Sequence, residues 1–189
     1  MRVIAGSARR LTLKTIDSMD TRPTTDRIKE TLFNMIQFDI PGCDFLDLFA
    51  GSGGIGIEAL SRDARRAVFV DNNPKAAACI NENLAHTHFA DRAQVISGDY
   101  MTALNRLKGK GYRFGIVFMD PPYQTGLERK ALRLIHDMDY VDEDTLFIVE
   151  GALEDDFADL ESLGYEIVRE KLYKTNKHAF LRKAAPHEG

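Results

Sequence analysis

DLFAGSGGIGIEA, residues Asp47 to Ala59, joins the end of an apolar strand, a glycine-rich turn and the start of a helix without a break. Gly51 and Gly53 let the backbone turn sharply and come close to a ligand, because no Cβ stands in the way. The helix that follows offers unpaired N–H groups at its start. Gly51, Gly53 and Gly56 satisfy G-x-G-x-x-G, and Asp71 stands 20 residues after Gly51, at the end of the next apolar run. That spacing is the cradle of a nucleoside-bearing ligand, with the acid on the ribose hydroxyls. A nicotinamide dinucleotide would use the same geometry, so the turn alone leaves the ligand open.

Outward from this turn, short apolar runs alternate with helical patterns. Phe45–Phe49, Ala67–Asp71, Ala93–Ser97, Gly115–Asp120 and Thr145–Glu150 have the near-continuous apolarity of parallel strands covered on both faces. Between them, helices are predicted over Ile55–Ser61, Pro74–His86, Tyr100–Lys108, Leu127–Asp137 and Glu154–Leu163. Pro74 suits a first helical turn, with Asn72 or Asn73 as its cap. Tyr165–Lys171 and Lys177–Arg182 predict an antiparallel finish. The expectation is an α/β fold: a Rossmann-like, mostly parallel seven-stranded sheet with an antiparallel last strand.

Before Asp44 the pattern changes. RVIAG and LTLKT predict a small hairpin, and TRPTTDRIKETLFNMIQF a helix capped by Thr24 or Thr25 with Ile28, Leu32, Phe33, Met35 and Ile36 on one face. The chain therefore divides into an N-terminal extension, residues 1–40, and a main domain, residues 41–185. Its 189 residues suffice for a substantial core, and 44% apolar with 29% charged residues is a globular balance. No apolar run is long enough to cross a bilayer and no secretory core opens the chain, so a cytoplasmic protein is expected. Cys43 and Cys79 have neither each other's company nor a histidine pattern, which argues against a disulfide scaffold and against a metal site.

The net charge of −4 conceals a segregation. Arg2, Arg9, Arg10 and Lys14 stand in the first 14 residues without an acid, whereas residues 137–161 hold 11 acids and no Lys or Arg. A polyanion responds to the local basic face more than to the sum.

The second chemical motif is MDPPY, Met119 to Tyr123, directly after a buried strand. Two prolines donate no hydrogen bond and stiffen the backbone. Asp120 and the Pro121 carbonyl can then accept from an exocyclic amino group while the Tyr123 ring stacks on its base. Hydride transfer has no use for such a set.

DLFAGSG, VFVD, GDY and DPPY, in that order, resemble a class I S-adenosylmethionine-dependent methyltransferase of the amino-methylating type. RVIAG together with TRPTTDRIKETLFN is more specific and resembles the RsmD family, bacterial enzymes that modify the N2 amine of a guanine in small-subunit (16S) ribosomal RNA. The likeness runs from Arg2 to about Arg182. It implies that S-adenosylmethionine is held by Asp47, Phe49, Ala50, Gly51, Gly53, Asp71, Asn72, Asp99 and Tyr100. It further implies that Asp120, Pro121, Pro122 and Tyr123 hold the target amine, and that Arg9, Arg10, Arg22 and Arg27 meet RNA phosphates. Arg27 has a competing use, a surface pair with Asp26 or Glu30, and Asp99 a second one, capping the helix after it.

Three positions depart from the family pattern. Arg9-Arg10-Leu11 lacks the usual intervening glycine, Asp71 replaces a longer Glu, and Tyr173-Lys174-Thr175-Asn176 lacks a turn glycine. The expected protein is a monomer that needs no metal, binds no membrane and acts on small-subunit RNA or the assembled small subunit. An adenine-N6 DNA methyltransferase and a catalytically silent RNA-binding assembly factor are the alternatives.

Overall fold

The computed structural model describes residues 1–16 and 25–186. Seven strands form one sheet: β1 (Asp44–Leu48), β2 (Arg66–Asp71), β3 (Ala93–Ser97), β4 (Phe114–Met119), β5 (Leu146–Ala152), β6 (Tyr165–Leu172) and β7 (Asn176–Lys183). Their order is β3-β2-β1-β4-β5-β7-β6. The first five pair in parallel, and β7 runs antiparallel to both β5 and β6. The sheet expected from the alternation is the one found. Its strand order reverses between β1 and β4, which is where open α/β sheets bind ligands, at the carboxyl ends of the strands.

Five helices accompany it: α1 (Asp26–Met35), α2 (Gly54–Ser61), α3 (Pro74–Thr87), α4 (Tyr100–Leu107) and α5 (Leu127–Ile135). Local chemistry starts each of the well-marked ones. The Thr25 hydroxyl accepts from the Ile28 N–H to open α1, Asn73 caps α3 with Pro74 behind it, and Asp99 caps α4. One face of the sheet is covered by α1, α2, α3 and the N-terminal segment, through Val3, Leu13, Leu32, Phe33, Ile57 and Ile80. The other is covered by α4 and α5, through Leu104, Leu107, Leu132 and Ile135. Each such fully buried side chain contributes roughly 1.5–3 kcal/mol. No helix of the described residues is long and apolar enough to cross a membrane, and Cys43 and Cys79 are both free thiols.

Three expectations need correcting. The helix predicted over Glu154–Leu163 is a 3₁₀ segment, Ala158–Leu163. Asp155 takes the Ala152 N–H and Asp156 the Ala158 N–H, so local side-chain bonds replace the helical ladder. The helix predicted to Asp137 stops at Ile135. The hairpin shrinks to a single antiparallel bridge between Arg2 and Thr12. Its first arm spends donors elsewhere: the Ile4 and Ala5 N–H groups bond the Glu58 carboxylate at 2.9 and 3.1 Å, and Ser7 donates to the Ser61 carbonyl. Glu58 also receives Arg62 Nε at 2.9 Å and lies 3.6 Å from Lys29 Nζ on α1, whose ammonium donates to the Arg2 carbonyl at 2.6 Å. One buried carboxylate thus ties the N-terminal segment and α1 to α2.

Candidate active site

The turn after β1 is built by satisfying backbone donors. Gly53, the N-cap of α2, has φ +82°, a left-handed conformation that favours glycine. Gly56 is required by space, since a Cβ there would stand 2.3 Å from the Phe69 ring. Below the turn, the Asp47 carboxylate accepts the Gly56 N–H at 2.9 Å. From the next strand, the two oxygens of Asp71 accept the Gly51 and Asn73 N–H groups, both at 2.9 Å. A carboxylate has about four acceptor sites, so Asp71 keeps capacity for two hydroxyls. A Cβ on Gly51 would meet nothing within 4 Å, so open space borders the turn.

Phe49, at φ +65°, and Tyr100 face each other with ring centroids 5.8 Å apart, and the Ala50 N–H bonds the Val70 carbonyl. Asn72 is exposed at the end of β2. Asp99 caps α4 through the Thr102 N–H at 2.9 Å and the Thr102 hydroxyl at 2.7 Å, which hold its carboxyl below the usual range.

Across the reversal point, the Asp120 N–H reaches the Leu48 carbonyl at 3.4 Å, placing the second motif beside the first. Pro121 is buried, whereas Pro122 and Tyr123 are exposed. Burial, then the charges of Glu150 and Asp47, hold the Asp120 carboxyl well above the usual range. Asp47 is 1% exposed, and burial, opposed by the Gly56 N–H and reinforced by Asp71, pushes it up to about 8. The edge therefore favours a cationic visitor and has acceptors ready for an N–H donor.

Sequence reasoning missed the neighbours of Asp120. Glu150, Asn176, His178 and Tyr173 form a hydrogen-bonded cluster beside it. A histidine inside an apolar strand was the one local signal, and register, which no local pattern carries, supplies the rest.

The expected RNA-contacting arginines are placed unevenly. Arg9, Arg10 and Arg27 are exposed, with Arg10 at φ +74°, and Arg22 lies outside the described residues. Asp26 pairs with Arg2 at 3.2 Å and not with Arg27, so the competing pair does not form with that partner. Among the described residues there is no cluster of His, Cys, Asp or Glu that could hold a metal.

The sheet order, the glycine turn and the D-P-P-Y turn define the class I methyltransferase fold. The chain belongs to the family described as "Conserved hypothetical protein 95", whose model matches residues 1–182, and the resemblance to the RsmD family is borne out. YlbH of Bacillus subtilis is 41% identical over 150 residues, covering 79% of this chain and 82% of that one. Ribosomal RNA small subunit methyltransferase D of Escherichia coli strain K12 is 38% identical over 154 residues, covering 82% and 76%. The solved structure of the Escherichia coli protein yhhF superposes with a TM-score of 0.84 at 34% identity, covering 98% of each chain.

Proposed function

We propose that this protein transfers the methyl group of S-adenosylmethionine to the exocyclic N2 amine of a guanine in small-subunit ribosomal RNA. The observation that carries this reading is the D-P-P-Y turn set against the glycine turn across the strand-order reversal, in a chain related to a ribosomal RNA small subunit methyltransferase.

The residues present fit the cofactor. Asp71 has acceptor capacity for the ribose hydroxyls, Gly51 borders open space, Phe49 and Tyr100 flank the place for the adenine, and Asp99 and Asn72 stand at its polar edge. Asp47 and Ala50 hold the turn in shape. The sulfonium supplies an already reactive methyl, so the protein's task is to position and desolvate. Holding the amine in line can be worth roughly 7–11 kcal/mol in favourable cases.

A guanine N2 lone pair is conjugated into its ring and is a poor nucleophile. Asp120 and the Pro121 carbonyl accept its two N–H bonds, draw the nitrogen toward tetrahedral geometry and stabilise the positive charge that develops there. Tyr123 stacks on the unpaired or flipped base, worth about 1–3 kcal/mol. Residues 1–40 present Arg9, Arg10, Arg22 and Arg27 to the phosphates, and residues 41–185 carry the chemistry.

Nucleosides from ribosomal RNA incubated with the protein and S-adenosylmethionine, analysed by mass spectrometry, test this. N2-methylguanosine is expected. N6-methyladenine in DNA would replace the reading with its runner-up, and no product from either nucleic acid would leave a binding role.

A further inference from the structure

Register brings side chains from three strands to the rim of the D-P-P-Y turn. Phe118 on β4 pairs with Ile148 on β5, which pairs with Phe180 on β7. Side chains alternate along strands, so two residues further along this face come Asp120, just past β4, then Glu150 and its direct partner His178. Asn176 follows on the same face of β7.

Glu150 is 7% exposed, and His178 is fully buried. One Glu150 oxygen accepts Asn176 Nδ2–H at 3.0 Å, and the other lies 3.1 Å from His178 Nε2. The second ring nitrogen of His178 lies 3.0 Å from the Tyr173 hydroxyl, and Phe118 and Tyr173 meet the ring edge-on. Burying a carboxylate is costly unless donors compensate it. The preceding row, Phe118, Ile148 and Phe180, shows that apolar side chains fill this face well. Glu150 is the β5 acid in the row that follows, and neither the cofactor contacts nor the amine contacts proposed above use it.

We propose that Glu150, aligned by Asn176 and His178, is a positioning residue whose negative charge strengthens Asp120 as the acceptor of the amine's proton. This rests on the methyl transfer proposed above. As the N–C bond forms and the S–C bond breaks, positive charge passes from sulfur to nitrogen. An N–H bond then breaks, its electron pair stays on nitrogen, and the proton goes to the Asp120 carboxylate. An unperturbed aspartate, with a pKa of about 4, holds such a proton weakly. A second carboxylate alongside makes it hold harder.

The charged groups acting on Asp120 are Glu150 from β5 and Asp47 from β1, with His178 from β7 behind Glu150. Arg169 on β6 acts at the outer end, on Tyr173. Among the described residues no Lys or Arg forms an ion pair with Asp120.

The acid limb of kcat/KM against pH reports the ionisation of Asp120. Glu150→Gln removes the charge and keeps the shape. Asn176 Oδ1, which has no partner among the described residues, can accept from the new amide after a flip. The limb is expected to move down by about one pH unit, with a several-fold lower plateau. His178→Gln, which keeps both the carboxylate and a donor to it, should hold the wild-type midpoint. A Glu150→Gln limb that coincides with wild type overturns the proposal.

Should Glu150→Gln not fold, wild-type protein labelled with ¹³C in its Asp and Glu carboxyls answers the same question. The Asp120 resonance should show, besides its own step, a second one from a neighbouring carboxyl, and a single-step Asp120 curve overturns the proposal. The titration needs no turnover. Coupled carboxyls without methylated guanosine would overturn the reaction, and methylated guanosine with uncoupled carboxyls would overturn the role of Glu150.

Discussion

The two ends of the sheet treat negative charge in opposite ways. At the amino end of β1, Asp44 is buried yet gripped by Arg65 and Arg66, each through two bonds of 2.8–2.9 Å, and by the Arg113 N–H. Burial works against its ionisation, but Arg66, Arg65 and that N–H together hold its carboxyl below the usual range. At the carboxyl end of the same strand, three residues later, the partner of Asp47 among the described residues is a backbone N–H, and its carboxyl is pushed up to about 8. Asp71 and Asp120 nearby likewise have no Lys or Arg partner among the described residues. One end uses charge to hold the fold. The other leaves buried carboxyls without a basic partner, which holds Asp47 and Asp120 back from ionising.

That contrast can be attacked at three points. The largest effect belongs to Asp120→Ala, expected to lower methyl transfer at least about 100-fold while the protein still binds S-adenosylmethionine by calorimetry. Near-normal turnover would show that the carboxyl end is not where the amine reacts.

Next comes Asp44→Asn, which strands two guanidinium groups. It should cost roughly 2–3 kcal/mol at neutral pH in urea unfolding, discounted because both arginines reach solvent. A carboxyl depressed in the fold stabilises above its unfolded pKa, and that contribution vanishes as pH falls through the folded value. The gap between variant and wild type should therefore close below about pH 4.

Asp47→Asn is the smallest and has the opposite sign. A carboxyl raised in the fold costs stability as pH climbs from about 4 toward the folded value near 8. The ligand-free variant should thus gain about 5 °C in melting temperature over wild type at pH 8, and little at pH 5. Parallel melting curves at both pH values would mean that Asp47 is ordinary.

Legibility in the sequence followed distance along the chain. The glycine turn, Pro74 behind Asn73 and the Asp99 cap all depend on neighbours a few residues apart, and all three read directly. Asp120 and Tyr123 announced themselves through the stiff dipeptide between them. Glu150, Asn176 and His178 did not, because only the pairing of β5 with β7 makes them neighbours. The predicted helix at 154–163 failed through competition, as aspartates that look helix-tolerant bonded their own backbone instead. The hairpin failed because its donors preferred Glu58.

Glu58 also sets a limit on how the molecule can be taken apart. Clipping off the first forty residues would remove the Ile4 and Ala5 amides and the Lys29 ammonium from Glu58, and with them Val3, Leu13, Leu32 and Phe33, which cover Ile57, Leu60 and Phe69. A bared apolar face of that size drives chains to stick to one another. The leading segment is thus a cornerstone rather than an ornament: a chain truncated at residue 40 would be expected to come out of the cell insoluble.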